Sequence, residues 1–561
     1  FIRDGLRLKG QMAIVKGETS GEIYKSPFSA EFLKTTYNSE SRVQEYLPIA
    51  ERGYLSMTDG ASFSYDGNVT LNYNTLVNEK HIIYAGVGLE VTQNDNNSHG
   101  FIMTGFPDDR YSDPAFAIQY KKETKPSSSE SKSRAIGFFA NGNYSYDDRY
   151  FADVSVRIDG SSKFGADKKY APFWSAGAGW NVHNEKFFKH TKISMLKLRY
   201  SYGVTGNQEF SAYQAKTMFQ FNTDRLYNSG ISAALMGYGN PDLEWQNQYQ
   251  SNYGFDFGYA KDRIRLQFNY YQKKTEGMLT SVSVAPSLGL PSNTFTSNLG
   301  KIQNKGVEVN LNAVLIRDQG KDFEWSVMLQ AAHNKNKIME ISTALKNINE
   351  KNNQDKTTPA AVYEEGESMS AIKAVPSLGI DPTTGQELFM KKDGTITYTW
   401  DATDKVICGD SEPKVFGNVG TNLYWKGWNL NMVFKYDLGA DYYNSTLAER
   451  VEGANPRYNA DRRVLNNRWK EPGQHALYKN IKEYTTTYIS SRFVQKENTL
   501  QLTSLSLSYD LNREWIRKFG LNTMRLSFYM NDVFRASTVK NERGLDYPFQ
   551  RSFVFGLNIG F

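Results

Sequence analysis

The sequence predicts an all-β protein, a transmembrane antiparallel β-barrel, with about sixteen strands lying in these 561 residues. Three observations carry that reading. Strand after strand alternates large apolar residues with small or polar ones at period two, so one face meets apolar surroundings and the other something wetter. Tyr and Trp often end the apolar runs, where aromatic girdles sit at a lipid boundary. The connections alternate between short and long, which is the outer-membrane pattern of tight turns on one side and large loops on the other. A soluble β-sandwich also alternates. It does not account for Arg, Lys, Asp and Asn along the polar face of strand after strand.

The elements follow in order. Strands are expected near 6–18, 61–76, 80–94, 134–146, 149–160, 170–182, 194–205 and 247–260, then near 263–275, 304–316, 323–336, 413–425, 428–438, 498–510, 522–532 and 549–561. "LRLKGQMAIVKGE" opens the series. In the fourth, Ile136, Phe138, Ala140, Gly142, Tyr144 and Tyr146 share one face. After the turn "DDR", Tyr150, Ala152, Val154, Val156 and Ile158 oppose Asp153, Ser155, Arg157 and Asp159. Trp174, Ala176, Ala178, Trp180 and Val182 alternate with Ser175, Gly177, Gly179 and Asn181, and Leu196, Leu198, Tyr200 and Tyr202 with Lys197, Arg199 and Ser201. Tyr253, Phe255, Phe257 and Tyr259 precede the turn "KDR", and Ile264, Leu266, Phe268 and Tyr270 follow it. Trp428 to Tyr436 and Met524 to Met530 repeat the pattern.

Segment 498–510 breaks phase: Leu500 and Leu502 are even, Leu505, Leu507 and Tyr509 odd, so a β-bulge is expected near Thr503–Ser504. The chain closes on "RSFVFGLNIGF" (551–561), with Phe553, Phe555, Leu557, Ile559 and Phe561 on one face. Turns at 147–149, 261–263, 317–322 and 426–427 are short; segments 18–60, 96–133, 206–245, 276–303, 338–412 and 439–497 are long. The low-complexity "KKETKPSSSESKS" (121–133) reads as a solvated, mobile loop tip.

Composition narrows the function. The 66 basic residues against 60 acidic ones give a net charge of +6, too mild to argue for a nucleic-acid partner. No run approaches the ~18 apolar residues of a membrane helix. A single cysteine, Cys408, allows neither an intrachain disulfide nor a cysteine-based metal site. The six histidines show no ligand spacing, so no metal or cofactor is expected. An outer-membrane barrel enzyme would need converging acid/base groups. The acidic pairs Asp108–Asp109 and Asp147–Asp148 lie in loop and turn sequence, where solvated carboxylates are the ordinary reading. Loops of this length are usually functional. Their candidate ligand-binding aromatics are Trp400, Tyr442 and Tyr443, each of which can equally pack a loop.

An ordered set of stretches carries a resemblance. "GFFANGNYSYDDRYFADVSVRIDGSSKFG" (137–165), "LKLRYSYGVTGNQ" (196–208), "NPDLEWQNQYQSNYGFDFGYAKDRIRLQFNYYQKKTEGML" (240–279), "NLGKIQNKGVEVNLN" (298–312), "GIDPTTGQELF" (379–389), "VICGDSEPKVFGNVGTNLYWKGWNLNMVF" (406–434) and "YPFQRSFVFGLNIGF" (547–561) resemble the SusC-like TonB-dependent transporters, the SusC/RagA family of Bacteroidetes outer membranes. Trp245, in the family-like "NPDLEW", is read as structural.

The resemblance implies a barrel of 22 strands when complete, filled by an N-terminal plug, covered by a SusD-like surface lipoprotein and driven by TonB. It implies active import of a large nutrient, a glycan or a peptide, with outer-membrane lipids around the wall and no catalytic role. Phe561 resembles the family's terminal assembly signal, which puts the C-terminus on the periplasmic side. Plug, TonB box and signal peptide are not found in these residues, so 1–561 is expected to be the C-terminal barrel portion, pairing with an N-terminal portion that supplies plug and remaining strands. A passive porin or a siderophore-type receptor is the alternative.

Overall fold

The computed structural model describes the chain except residues 1–4, 38–41, 166–167, 189–191, 208–211, 228–229, 284–293, 299, 342–345, 347–348, 351, 358, 456, 458–459, 484 and 541–548. Its long strands in chain order are β1 (Leu6–Lys25), β2 (Tyr54–Val77), β3 (His81–Thr104), β4 (Ser127–Tyr146), β5 (Tyr150–Ser161), β6 (Tyr170–Asn181), β7 (Ile193–Asn207) and β8 (Gln246–Tyr259). They continue with β9 (Ile264–Glu276), β10 (Lys301–Asp318), β11 (Phe323–Glu340), β12 (Val415–Trp425), β13 (Trp428–Tyr443), β14 (Val494–Asp510), β15 (Thr523–Ser537) and β16 (Phe553–Gly560). Among the described residues seventeen strands share the sheet, and one is the two-residue Gln119–Tyr120 on the end of β3, so 17 − 1 leaves the sixteen expected. Each pairs antiparallel with the next. Among the described residues β1 pairs with β2 alone and β16 with β15 alone.

The register aligns the faces read from the sequence. Leu89, Phe138 and Ile158 lie side by side, as do Val87, Ala140 and Val156. Phe138, Val156, Ile158, Leu198, Tyr253, Leu526 and Leu557 are exposed, and Phe555 is 75% exposed. A water-soluble sheet buries such a face; a lipid-facing wall does not. At the turn end, Trp180 stacks on Tyr150 with ring centroids 6.2 Å apart and Trp428 lies 4.6 Å from Tyr509. The turns tighten through left-handed residues: Asp147 and Asp148 have φ 54° and 51°, Lys426 and Gly427 46° and 89°. Paired positive φ values twist a two-residue turn the way its strands twist.

The expected bulge is present: the register with both neighbours steps from Leu502 to Ser504, and the Thr503 hydroxyl donates to the Val433 carbonyl at 2.9 Å. A second bulge, unforeseen, falls between Asp437 and Ala440, where Gly439 holds φ 80°.

Several expectations are corrected, most at the loop end. β1 to β4 run on well past the apolar band, so residues 127–133 of the serine-rich stretch belong to β4 and pair with β3 rather than forming a loop tip. The segments read as long loops contain hairpins, Leu33–Tyr37 with Arg42–Tyr46 and Met218–Tyr227 with Gly230–Gly237 among them. Polar side chains pair across such extensions as well as any, so hydrophobic alternation does not reveal them. The connection from β5 to β6 is short although it lies at the loop end. The last strand begins at Phe553, later than the 549 expected.

Candidate functional site

Two polar features stand out: charged pairs on the wall face opposite the apolar band, and an ion-paired cluster among the loops. On the wall, the Arg157 guanidinium of β5 donates to Glu90 of β3 at 2.8 Å and to Asp159 at 2.5 Å. Arg199 of β7 donates to Asp256 of β8 at 3.1 Å and to Asn269 of β9 at 2.7 Å. Same-face neighbours on adjacent strands lie within reach of a long side chain, so period two assembles these groups. Beside Arg157 is a cavity of about 400 Å³ lined by Glu90, Asn94, Asp159 and Lys163, with Trp245 at its edge. Such a wall offers planar donors and carboxylates to a hydrated cargo or to a protein segment within the lumen.

At the loop end, the described residues of 352–414 and 444–493 fold together. Ala371–Ala374 pairs with Val406–Asp410, and Ser377–Ile380, Glu387–Met390 and Ile396–Thr397 form a small sheet. Arg492 lies between two buried carboxylates, with Nη2 2.9 Å from Glu387 and Nη1 2.5 Å from Glu452. Burial alone would lower the pKa of this guanidinium; the bonds to Glu452 and the charge of Glu387 outweigh it and hold the group above its ordinary value. Lys479 stands 3.8 Å from Glu452 and donates to Thr485 and Thr486, and burial pushes its pKa down. Arg468 is buried on the carbonyls of Val464, Lys479, Val451 and Glu452, and burial lowers it too. The cluster's cations are spent on internal partners, so it locks the loops together.

A family described as "TonB dependent receptor-like, beta-barrel" matches residues 20–533. The chain belongs to the TonB-dependent receptor β-barrel family. It is 26% identical to TonB-dependent receptor P3 of Formosa agariphila over 97% of this chain and 58% of the relative. It is 23% identical to TonB-dependent receptor SusC of Bacteroides thetaiotaomicron over 89% and 51%. The RagAB peptide importer in its closed-closed state superposes with a TM-score of 0.83 at 22% identity, over 100% of this chain and 60% of that one. The chain thus spans a little over half the length of the relatives it matches. The family places this receptor wall in the outer membrane.

The structure separates the aromatic candidates. Trp400 donates Nε1–H to the Ile489 carbonyl at 2.9 Å and stacks on Tyr488 at 5.2 Å, tying two loops of the receptor together. Tyr442 and Tyr443 end β13 itself instead of following it. Beyond the bulge at Gly439, Tyr442 pairs with Gln495 and Tyr443 with Val494, so their side chains lie on opposite faces of the strand. The Tyr443 ring meets Phe493 edge-on at 6.0 Å. Phe561 is 88% exposed.

Asp147 and Asp148 occupy the β4–β5 turn, and Asp108 is held by Arg110. Among the described residues no three His, Cys, Asp or Glu side chains cluster as metal ligands. Sequence reasoning did not find the Arg492 cluster, whose Arg492–Glu387 bond spans 105 residues and Arg492–Glu452 bond 40.

Proposed function

We propose that this chain forms the wall and mouth of a TonB-dependent importer of a large nutrient, an oligosaccharide or an oligopeptide. The observation that carries the reading is the polar inner wall beneath an ion-locked loop module, in a chain that the receptor-barrel family matches over residues 20–533. A simple pore has no need of a rigid module of this size at its mouth. The SusC relative and the RagAB fold neighbour support a SusD-like lipoprotein as the lid on that module. Sequence outside these residues supplies the plug, the TonB-contacting segment and the remaining strands, since the matched relatives are nearly twice as long.

In this reading the turn end and the C-terminus face the periplasm, and Phe561 is the assembly signal. Tyr442 is the ligand-contacting aromatic, while Trp400 and Tyr443 shape the loops around it. The complete receptor, isolated from its native membrane, tests the proposal. A lipoprotein should co-purify with it, and Tyr442→Ala should slow uptake of the cargo while leaving that complex intact. Isolation without a partner, together with undiminished uptake by the variant, would count against the reading.

A further inference from the structure

We infer that the outer face of the wall carries a binding site for an acylated lipid with a phosphate-bearing headgroup, at the loop-side edge of the apolar band. The register defines the place. Val91 lies opposite Ile136, and both continue the exposed apolar face of Val87 and Phe138. One step toward the loops the same face changes chemistry: Gln93 lies opposite Arg134 and Asp95 opposite Lys132. From Tyr146 in the turn-side belt back to Ile136 is 146 − 136 = 10 residues of β4. At about 3.3 Å each and a tilt of ~45°, that rises roughly 23 Å, close to the height of a barrel's apolar band.

A cavity of about 470 Å³ opens at this level. Tyr65, Val91 and Ile136 form its apolar floor, and Arg134, Lys169 and Lys216 its cationic upper rim. Arg134 spends Nε on the side-chain amide oxygen of Gln93 at 2.9 Å, and the Tyr65 hydroxyl donates to the same oxygen at 3.4 Å. The Lys216 ammonium rests 5.9 Å from the centroid of the Tyr213 ring. Among the described residues none of the three cations has a carboxylate within ion-pair distance, although the charge of Arg134 acts on the Asp95 carboxylate. The nearby Asp95 is already paired with Lys132 at 2.9 Å.

Three cations without a salt-bridge partner, beside a single carboxylate already paired with Lys132, stand above apolar side chains at a water–lipid boundary and call for one kind of ligand. A phosphate matches a guanidinium fork flanked by two ammonium groups, and an acyl chain covers the floor. Free phosphate leaves the floor bare, and an uncharged lipid leaves the cations unpaired. The leaflet at the loop end supplies a molecule with both parts.

The test uses the complete receptor in detergent, with lipid A, lipid A stripped of its phosphates, and inorganic phosphate as probes, and bound lipid counted by native mass spectrometry. Lipid A should be retained in preference to its dephosphorylated form. The triple variant Arg134→Gln/Lys169→Gln/Lys216→Gln should lose about ten-fold or more of that retention. Ile136→Ser should weaken it, Arg134→Lys should keep most of it, and the distant Lys391→Gln/Lys392→Gln/Lys482→Gln control should match the parent. Equal retention by the triple variant and the parent overturns the inference. So does complete displacement of lipid A by inorganic phosphate, which would reduce the site to an anion patch.

Discussion

At the residue scale, Arg492 is the side chain on which the loop module most depends. Its removal leaves Glu387 and Glu452 buried with Lys479 as the nearest cation, 3.8 Å from Glu452. Breaking a buried pair in this way costs about 3–5 kcal/mol. The amides of Ser491, bonded to Val375 at 2.9 Å, and of Val375, bonded to Ile489, bridge the two loops and report on it. In Arg492→Met their hydrogen-exchange protection should collapse while the amides of β4 and β5 stay protected. Unchanged protection at Ser491 would show that the cluster does not hold the loops.

Asp461 offers a milder, pH-dependent case in the same module. Its carboxylate accepts from the Arg463 side chain at 2.8 Å and from the Arg463 amide at 2.7 Å, and those bonds lower its pKa to about 2, below the ordinary 3.8. A depressed carboxylate pKa stabilises the fold fully above the unfolded value and loses that contribution as pH falls through the folded one. Exchange of the Arg463 amide should therefore be flat with pH, once corrected for intrinsic rate, down to about 3.8 and should accelerate toward about 2. An Asp461→Asn variant should show no such step. None of these roles was legible in the sequence, because each depends on partners that chain separation hides or on the burial of a polar loop residue.

At the element scale the strands were legible for the opposite reason: alternation is local, and each hydrophobic face is written in its own dozen residues. Even the irregularity at Thr503 showed, because a bulge moves leucines from even to odd positions. Deleting Thr503 should preserve assembly, since Phe434–Leu502 and Val433–Ser504 remain consecutive pairs. Deleting Ser506 instead should invert one side of β14 and abolish the heat-modifiable folded band on gels. If both deletions behave alike, the bulge assignment is wrong. On β16, Leu557 lies opposite Leu526 on the apolar face. Leu557→Arg should cost about 2–4 kcal/mol if that face meets lipid, read as a lowered denaturant midpoint in vesicles. The strand extensions and loop hairpins were missed because they pair through serine, asparagine and charged side chains, which look like loop in sequence.

At the scale of the whole molecule, the wall is a meander whose outward side is apolar, whose inward side is charged, and whose loop end carries a module locked by ions. Class and strand count could be read from periodicity alone. The internal organisation of the mouth could not, because Trp400, Tyr488, Glu387 and Arg492 meet only once the chain has folded. The central claim is that this wall serves energised import and not passive diffusion. It is tested most directly by uptake of labelled oligosaccharide and oligopeptide mixtures into cells carrying the complete receptor, with and without a functional TonB system. Receptor-dependent uptake of one class of oligomer, abolished when TonB is lost, is the result predicted here. Receptor-dependent uptake that persists undiminished without TonB would contradict it.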